Sequence, residues 1–405
     1  MNFSTYFYLL YLGILISVSG CTNPSKDSEV DQKPNLFIFL ADDLSKSDLG
    51  CTGNQFVKTP NIGSFANNSI NFSKMYTPTA MCAPSRSTLY TGLYPHSNGC
   101  HMNHGQTFEH IKSLPIYLKD LGYQVALVEK AHIKPASVYP FDYLTKDQLN
   151  DYLDQNDGPF CIIYASNEPH GPHPKENLNL DSVIIPPKWS DTPSTRKRLA
   201  VYYKDIAVLD EEFSAFLNAI KLNCLDKNAV TVFTSDHGSG FFAKWSCYES
   251  GLRVPFFLQS NGLQFQAEKV DALVSFTDVL PTFVELAGGK LNEKLDGKSF
   301  LPLLKEQTNA IHQYVYGTHT TRGIYSGKAY PIRSITDGEF KYILNLNSEE
   351  KFQNILTNGW NFGDSTEASS TWKEWMKQSA SNPWVRFYQH RQKKKCTILN
   401  RILMN

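Results

Sequence analysis

One repeated pairing narrows what this chain can fold into. Four strongly apolar runs each end abruptly in ionisable residues. Asn35–Leu40 leads into Ala41-Asp42-Asp43, and Gln124–Val128 leads into Glu129-Lys130-Ala131-His132. Phe160–Ala165 leads into Ser166-Asn167-Glu168-Pro169-His170, and Ala229–Thr234 into Ser235-Asp236-His237-Gly238. Short continuous apolar runs alternating with helical stretches read as strands buried on both faces of an α/β sheet. In open sheets of this kind a ligand lies beyond the carboxyl ends of the strands, so the four polar clusters are expected to share one cleft. Ser194–Ile220 predicts a long amphipathic helix, with Leu199, Tyr202, Ile206, Leu209, Phe213 and Leu217 as its core-facing stripe.

At 405 residues the chain exceeds what one core normally fills, which predicts a large α/β domain with a smaller appendage. After about Leu304 the pattern changes to short strands. Arg333–Thr336, an Asp337-Gly338 turn and Phe340–Leu344 read as a β-hairpin. The expected divisions are a signal peptide at 1–20, a tether at 21–33, a catalytic domain at 34–304 and a C-terminal subdomain at 305–405.

Lysine plus arginine equals aspartate plus glutamate at 39 each, a balance that gives no support to a nucleic-acid partner. It leaves room for an anionic substrate, since a few cations in one pocket suffice. The eight cysteines form no C-x-x-C pair, which argues against a zinc site or a disulfide framework. The apolar run Tyr6–Val18 is too short to span a bilayer and reads as a signal-peptide core. Val18-Ser19-Gly20-Cys21 resembles a bacterial lipobox, although no Lys or Arg precedes the apolar run. That resemblance makes Cys21 the lipidation site and Thr22–Lys33 a flexible tether, with the lipid as the chain's sole membrane contact. The expected location is a bacterial cell envelope, with plain secretion as the alternative.

Taken alone, most of the polar residues have ordinary explanations. Asp42 and Asp43 could cap a helix, but adjacent carboxylates repel unless a cation neutralises them, and their oxygens suit calcium or magnesium. Asp236 and His237 would add a third carboxylate and a further ligand. In Cys82-Ala83-Pro84-Ser85-Arg86, Pro84 suits a first helical turn, whose free N–H groups favour an anion. Arg86 offers a forked donor set for an oxyanion or a neighbouring carboxylate. Cys82 itself could be a thiolate nucleophile or a buried structural thiol. Lys130 and Lys244 could be solvated cations, His132 a satisfied histidine, and His170 and His173 loop residues.

Together these segments resemble the formylglycine-dependent sulfatases of the alkaline phosphatase superfamily. Cys82-x-Pro84-Ser85-Arg86, continuing to Thr91-Gly92, is similar to the maturation signature in which the cysteine is oxidised to formylglycine. Asp42-Asp43, Lys130-x-His132, Asp236-His237-Gly238 and Lys244…Tyr248-Glu249-x-Gly251-x-Arg253-Val254-Pro255 follow in the family's order. Glu129 stands where the family usually has glycine, and Tyr90 where it has an aliphatic residue. The resemblance implies an alkaline-phosphatase-like mixed sheet flanked by helices, with a smaller C-terminal α+β subdomain of antiparallel strands.

It further implies a calcium ion held by Asp42, Asp43, Asp236, His237 and the hydrated aldehyde made from Cys82. Arg86 and Lys130 would stabilise that hydrate. Lys244 and His170 would contact the sulfate, with His170 protonating the leaving group, and His132 would assist release of the enzyme-bound sulfate. A formylglycine-generating maturation enzyme is an implied partner. The segments Asp191–Arg196, Gly317–Arg322 and Tyr330–Ser334 look most like the heparan N-sulfatase (sulfamidase) branch, implying a sulfated glycan with an N-sulfated glucosamine or an O-sulfated sugar. His319, Arg322 and Arg333 are candidate sugar contacts. The rival readings are a phosphate or phosphonate monoester hydrolase and an inactive lipoprotein that only binds sulfated glycans.

Tyr388-Gln389-His390-Arg391 fits the family, but Gln392–Leu399 departs from the acidic segment expected next. Codons exist for Lys393–Asn405 that give such a segment one frame over. The expectation is a frameshift after about residue 391 that removes the last strand or helix of the subdomain.

Overall fold

A computed structural model describes residues 33–171, 180–181, 183–186, 189–240, 242–291, 294–320, 328–358, 367–379 and 381–399. The signal peptide, Cys21, the tether as far as Gln32, His173 and Arg322 lie outside the described residues. The strands are β1 (Asn35–Ala41), β2 (Ile70–Tyr76), β3 (Gln124–Glu129), β4 (Asp142–Leu144), β5 (Phe160–Ala165), β6 (Ala229–Ser235), β7 (Phe256–Asn261) and β8 (Lys269–Ser275). They form one sheet in the order β4-β3-β5-β1-β6-β7-β2-β8. The four apolar runs of the sequence are β3, β5, β1 and β6, which lie side by side and parallel. β7 runs antiparallel to both β6 and β2, which makes the sheet mixed.

β1 shows why these runs are continuously apolar. Leu36, Ile38 and Leu40 enter one buried cluster, with Leu118, Val279, Leu280 and Phe283. Phe37, Phe39 and Ala41 point the other way, into a cluster with Ile206, Leu209, Phe213 and Phe216. Successive side chains alternate across a strand, so a strand covered on both faces must be apolar at every position. The helix Pro193–Leu222 supplies the second cover, capped by the Thr192 hydroxyl, which accepts from the Thr195 amide. Its Tyr202 hydroxyl donates to the Asp48 carboxylate at 2.7 Å and lies 3.2 Å from the Asp43 carbonyl, tying the helix to the loop after β1.

The smaller sheet holds β9 (Val315–His319), β10 (Ile332–Thr336), β11 (Phe340–Asn345) and β12 (Lys394–Ile398), all antiparallel in the order β12-β11-β10-β9. The expected hairpin is β10–β11. β12 forms at the point where the sequence leaves the family pattern and pairs with β11 from Leu344–Lys394 to Phe340–Ile398. A third buried cluster joins this sheet to the large one through Ala80, Met81, Trp245, Val315, Ile332 and Ile343. No helix among the described residues is long and apolar enough to cross a membrane.

Candidate active site

The site forms where the four parallel strands stop. The Asp42 amide donates to the Glu168 carbonyl at 2.9 Å, Asp236 to Ala41 at 3.0 Å, and Lys130 to Ala165 at 3.0 Å. Each strand end is thereby locked to its neighbour, and the side chains that follow converge. Asp43 takes a left-handed backbone with φ 68°, held by its amide donating to Asp236 Oδ1 at 3.1 Å. Gly238 is required by close approach: a Cβ there would lie 1.7 Å from the Ser250 carbonyl oxygen.

Cys82 begins the helix α2 (Cys82–Thr91), which follows α1 (Pro60–Asn67) in the chain, and all ten residues of α2 are buried. Gly92 ends α2 in a left-handed conformation at φ 66°. Ser85 fastens the first turn, its hydroxyl 2.8 Å from that of Thr77. Cys82 Sγ thus lies at the base of a cleft of about 790 Å³, which is also lined by Asp43, Lys130, His132, His170 and Lys244. Lys244 Nζ stands 3.2 Å from Sγ and His237 Nε2 3.3 Å from it. Asp43 Oδ1 is 3.9 Å away.

Around this atom opposite charges are packed in direct contact. Arg86 is fully buried; its Nε donates to Asp236 Oδ2 at 3.0 Å, its Nη1 to the Lys130 carbonyl at 2.9 Å, and its Nη2 faces Asp42 Oδ1 at 3.4 Å. Lys130 Nζ pairs with Asp42 Oδ2. Lys244 Nζ donates to both oxygens of Asp43, at 2.8 and 2.9 Å.

Burial alone would raise the Asp43 carboxyl and lower the Lys244 amine. The attraction between them wins, so Asp43 is held below the usual carboxylate range and Lys244 above the usual amine range. Asp236 is pushed down in the same way, against its burial, by His237 and Arg86. His237 rises to about 9, since Asp236, Cys82 and Asp43 overcome its desolvation. His132 falls to about 4 through burial and the nearby Arg86 and Lys130.

The histidines are oriented by backbone oxygens. His237 Nδ1 donates to the Gly238 carbonyl at 2.8 Å, which turns Nε2 toward Cys82. His170 Nδ1 donates to the Gly171 carbonyl at 2.6 Å, which leaves Nε2 facing Asp43 Oδ2 at 3.9 Å. Three overlapping groups could hold a metal: Asp42-Asp43-Asp236, Cys82-Asp236-His237 and Asp43-Cys82-His170, with ligand atoms within 4.8 Å inside each group. The first is an all-oxygen set, and the buried Asp42 Oδ1 makes no hydrogen bond. Hard oxygen donors with an unclaimed lone pair fit a calcium ion.

This arrangement matches known proteins. The sulfatase family profile covers residues 34–146 and 136–289, and the profile "N-sulphoglucosamine sulphohydrolase, C-terminal" covers 236–357. The chain belongs to the sulfatase family. An ulvan-active sulfatase of Formosa agariphila is 37% identical over 361 residues, 82% of this chain and 70% of that protein. The N-sulphoglucosamine sulphohydrolase of Homo sapiens is 25% identical, covering 78% of this chain and 74% of its own. Among solved structures, a 2-O GAG sulfatase superposes with TM-score 0.69 at 20% identity, covering 88% of this chain and 93% of that one. The chain is therefore a sulfuric ester hydrolase with the alkaline-phosphatase-like fold expected from its motifs.

Arg86, Lys130, His132, His170, Lys244, Asp42, Asp43, Asp236 and His237 are gathered in the region around Cys82. His319 and Arg333 do not line this cleft; they line a second cavity on the small sheet. The sequence reading passed over Asn103 and His104. The His104 Nδ1 and His132 Nε2 atoms share a hydrogen bond at 2.8 Å, and Asn103 Oδ1 faces the Ala83 amide at 3.4 Å. Both sit in a loop without periodicity; the one signal was a dense polar stretch, His101–His104, soon after the Cys82 motif.

Proposed function

We propose that this sulfatase hydrolyses sulfate esters or sulfamates of a sulfated glycan, using a formylglycine made from Cys82 together with a calcium ion. The carrying observation is the placement of Cys82 Sγ, at a helix start, between Lys244 and His237 and beside the Asp43 and Asp236 carboxylates. Asp42, Asp43 and Asp236 would hold the calcium, with His237 the one nitrogen donor; bound there, the ion would lower the pKa of a coordinated hydroxyl and neutralise sulfate oxygens.

The chain's own groups set up the rest. Lys244 Nζ and Lys130 Nζ lie on the cleft wall and place positive charge where sulfate oxygens would enter. Arg86, locked by its three contacts, holds Asp42 and Asp236 in position. His170 Nε2 is free of the backbone contact that fixes Nδ1, so it can carry a proton to a departing sugar oxygen or amine. His132, neutral at ordinary pH, can accept one.

The relatives favour a glycan: one is named as ulvan-active, another as an N-sulphoglucosamine sulphohydrolase, and a structural neighbour holds D-glucosamine-2-N,6-O-disulfate. Cys21 would anchor the enzyme to a bacterial envelope by its lipid, after a maturation enzyme has acted on Cys82. The test is sulfate release from N-sulfated and O-sulfated glucosamine before and after calcium chelation. Release that stops with chelator and returns with calcium supports the reading; release indifferent to calcium contradicts it.

A further inference from the structure

The segment that carries Lys244 into the cleft passes twice through left-handed backbone. Phe242, two residues before it, has φ 64°, and Trp245, the next residue, has φ 61°. A bulky side chain adopts that region only where its surroundings hold it there. Each of the two has such a support, and the supports come from different parts of the chain.

Trp245 is held from the Cys82 side. Its amide donates to the Ala80 carbonyl at 2.9 Å, and its indole is buried in the cluster that contains Ala80 and Met81. The Lys244 amide closes the turn on the Ser239 carbonyl, also at 2.9 Å.

Phe242 is held from the C-terminal side. Its ring stacks on Trp375 at 4.4 Å with an interplanar angle of 22°, and it meets Tyr388 edge-on at 4.9 Å. Trp375 lies in the helix Glu367–Lys377 and Tyr388 in the helix Pro383–Gln389. Trp375 is itself fixed: its Nε1 donates to the Thr195 hydroxyl at 2.7 Å, in the first turn of the helix Pro193–Leu222. The Ser194 hydroxyl donates to Glu374 at 2.6 Å, a second tie between the same two helices. Phe242 and Lys244 line the Cys82 cleft, whereas Trp375 and Tyr388 do not.

Lys244 Nζ meets both Asp43 oxygens and Cys82 Sγ within 3.2 Å. A lysine stem is long and flexible, so its amine keeps one place only if the backbone beneath it is fixed. Losing the stacked ring would leave Phe242 nothing to offset its strained backbone, and the turn beneath Lys244 would relax.

We propose that Trp375 and Phe242 form an aromatic clamp that positions Lys244, so that the C-terminal helices support the active site without lining it. The inference rests on the reading of Lys244 as a sulfate contact and adds how the chain keeps that amine in place.

The experiment compares crystal structures and turnover of full-length Trp375→Ala, Phe242→Gly and Trp375→Phe. Glycine adopts this φ without strain, so Phe242→Gly keeps the fold even where Trp375→Ala does not. In both, Lys244 Nζ is expected to leave the Asp43 oxygens by about 1 Å or more. Sulfate release from a sulfated glucosamine should then fall about a hundredfold in kcat/KM, the scale of such a misplacement. Trp375→Phe keeps a ring on Phe242 and should recover most of the loss. Added to Lys244→Ala, neither Trp375→Ala nor Phe242→Gly should lower turnover further, because both act through the missing amine. A Lys244 unmoved in both variants overturns the clamp, and so does an equal fall in turnover with and without the Lys244 amine. Failure of the sulfatase reading would show separately, as no sulfate release from a wild type whose Lys244 still moves when the clamp is cut.

Discussion

The cleft at Cys82 and the cavity on the small sheet differ in how their charged groups are paired. In the Cys82 cleft, three carboxylates are matched by Arg86, Lys130, Lys244 and a raised His237, although Asp42 Oδ1, Arg86 Nη2 and His132 Nδ1 make no hydrogen bond. In the cavity on the small sheet, the buried His319 imidazole has no hydrogen-bond partner among the described residues, and the exposed Arg333 guanidinium meets no carboxylate among them. The first is a self-balanced charge network, in which losing one member strands another in low dielectric. The second leaves the His319 ring nitrogens sealed and unpaired, which costs stability. Chemistry needs the former, because its groups must be fixed before substrate arrives.

The strongest way to break this contrast is Cys82→Ala, expected to lower sulfate release by about 10⁴-fold or more while the fold persists, measured by turnover beside a melting curve. Next comes Asp236→Asn, which leaves the buried Arg86 without its 3.0 Å partner. Removing one side of a buried pair should destabilise the protein by about 3–5 kcal/mol in denaturant unfolding. A loss under about 1 kcal/mol would show that the network is not a unit.

Acid sharpens the second cavity. His319 titrates in the fold at about 3, against 6.5 ordinarily, so below 6.5 the unfolded chain takes up a proton that the fold refuses. Its contribution to stability is therefore kept above about pH 6.5 and lost progressively as pH falls toward about 3. His319→Gln should flatten the stability profile over that window, and an unchanged slope would place the acid lability elsewhere. The smallest effect belongs to Glu129, whose backbone is left-handed at φ 67° where the family usually has glycine. Its carboxylate offsets the strain by accepting from the Lys146 amide at 2.7 Å. Glu129→Gly relieves one and loses the other, so stability should move by no more than about 1 kcal/mol.

The two regions also differed in how far the sequence revealed them. β1, β3, β5 and β6 were visible because burial on both faces forces an unbroken apolar run, and their ends carried the charged residues. The helix Pro193–Leu222 was visible from its stripe, which Leu199, Ile206, Leu209 and Phe213 bury. β7 and β8 extend the sheet but mix polar with apolar residues, and pairing such as Ile70 with Leu258 is a long-range choice no local pattern encodes. His104 and Asn103 were hidden for a related reason: their roles come from contact with His132 and Ala83, not from spacing. His319 and Arg333 were singled out by resemblance, yet their separate cavity depends on how the small sheet docks beside Met81.

The central claim is that Cys82 is the precursor of the nucleophile, and peptide mass spectrometry of the protein from its native host tests it most directly. The peptide spanning Cys82 is expected to be lighter than the cysteine form by the difference between a CH2–SH and a CHO group. An intact Cys82 thiol in protein that releases sulfate would contradict it.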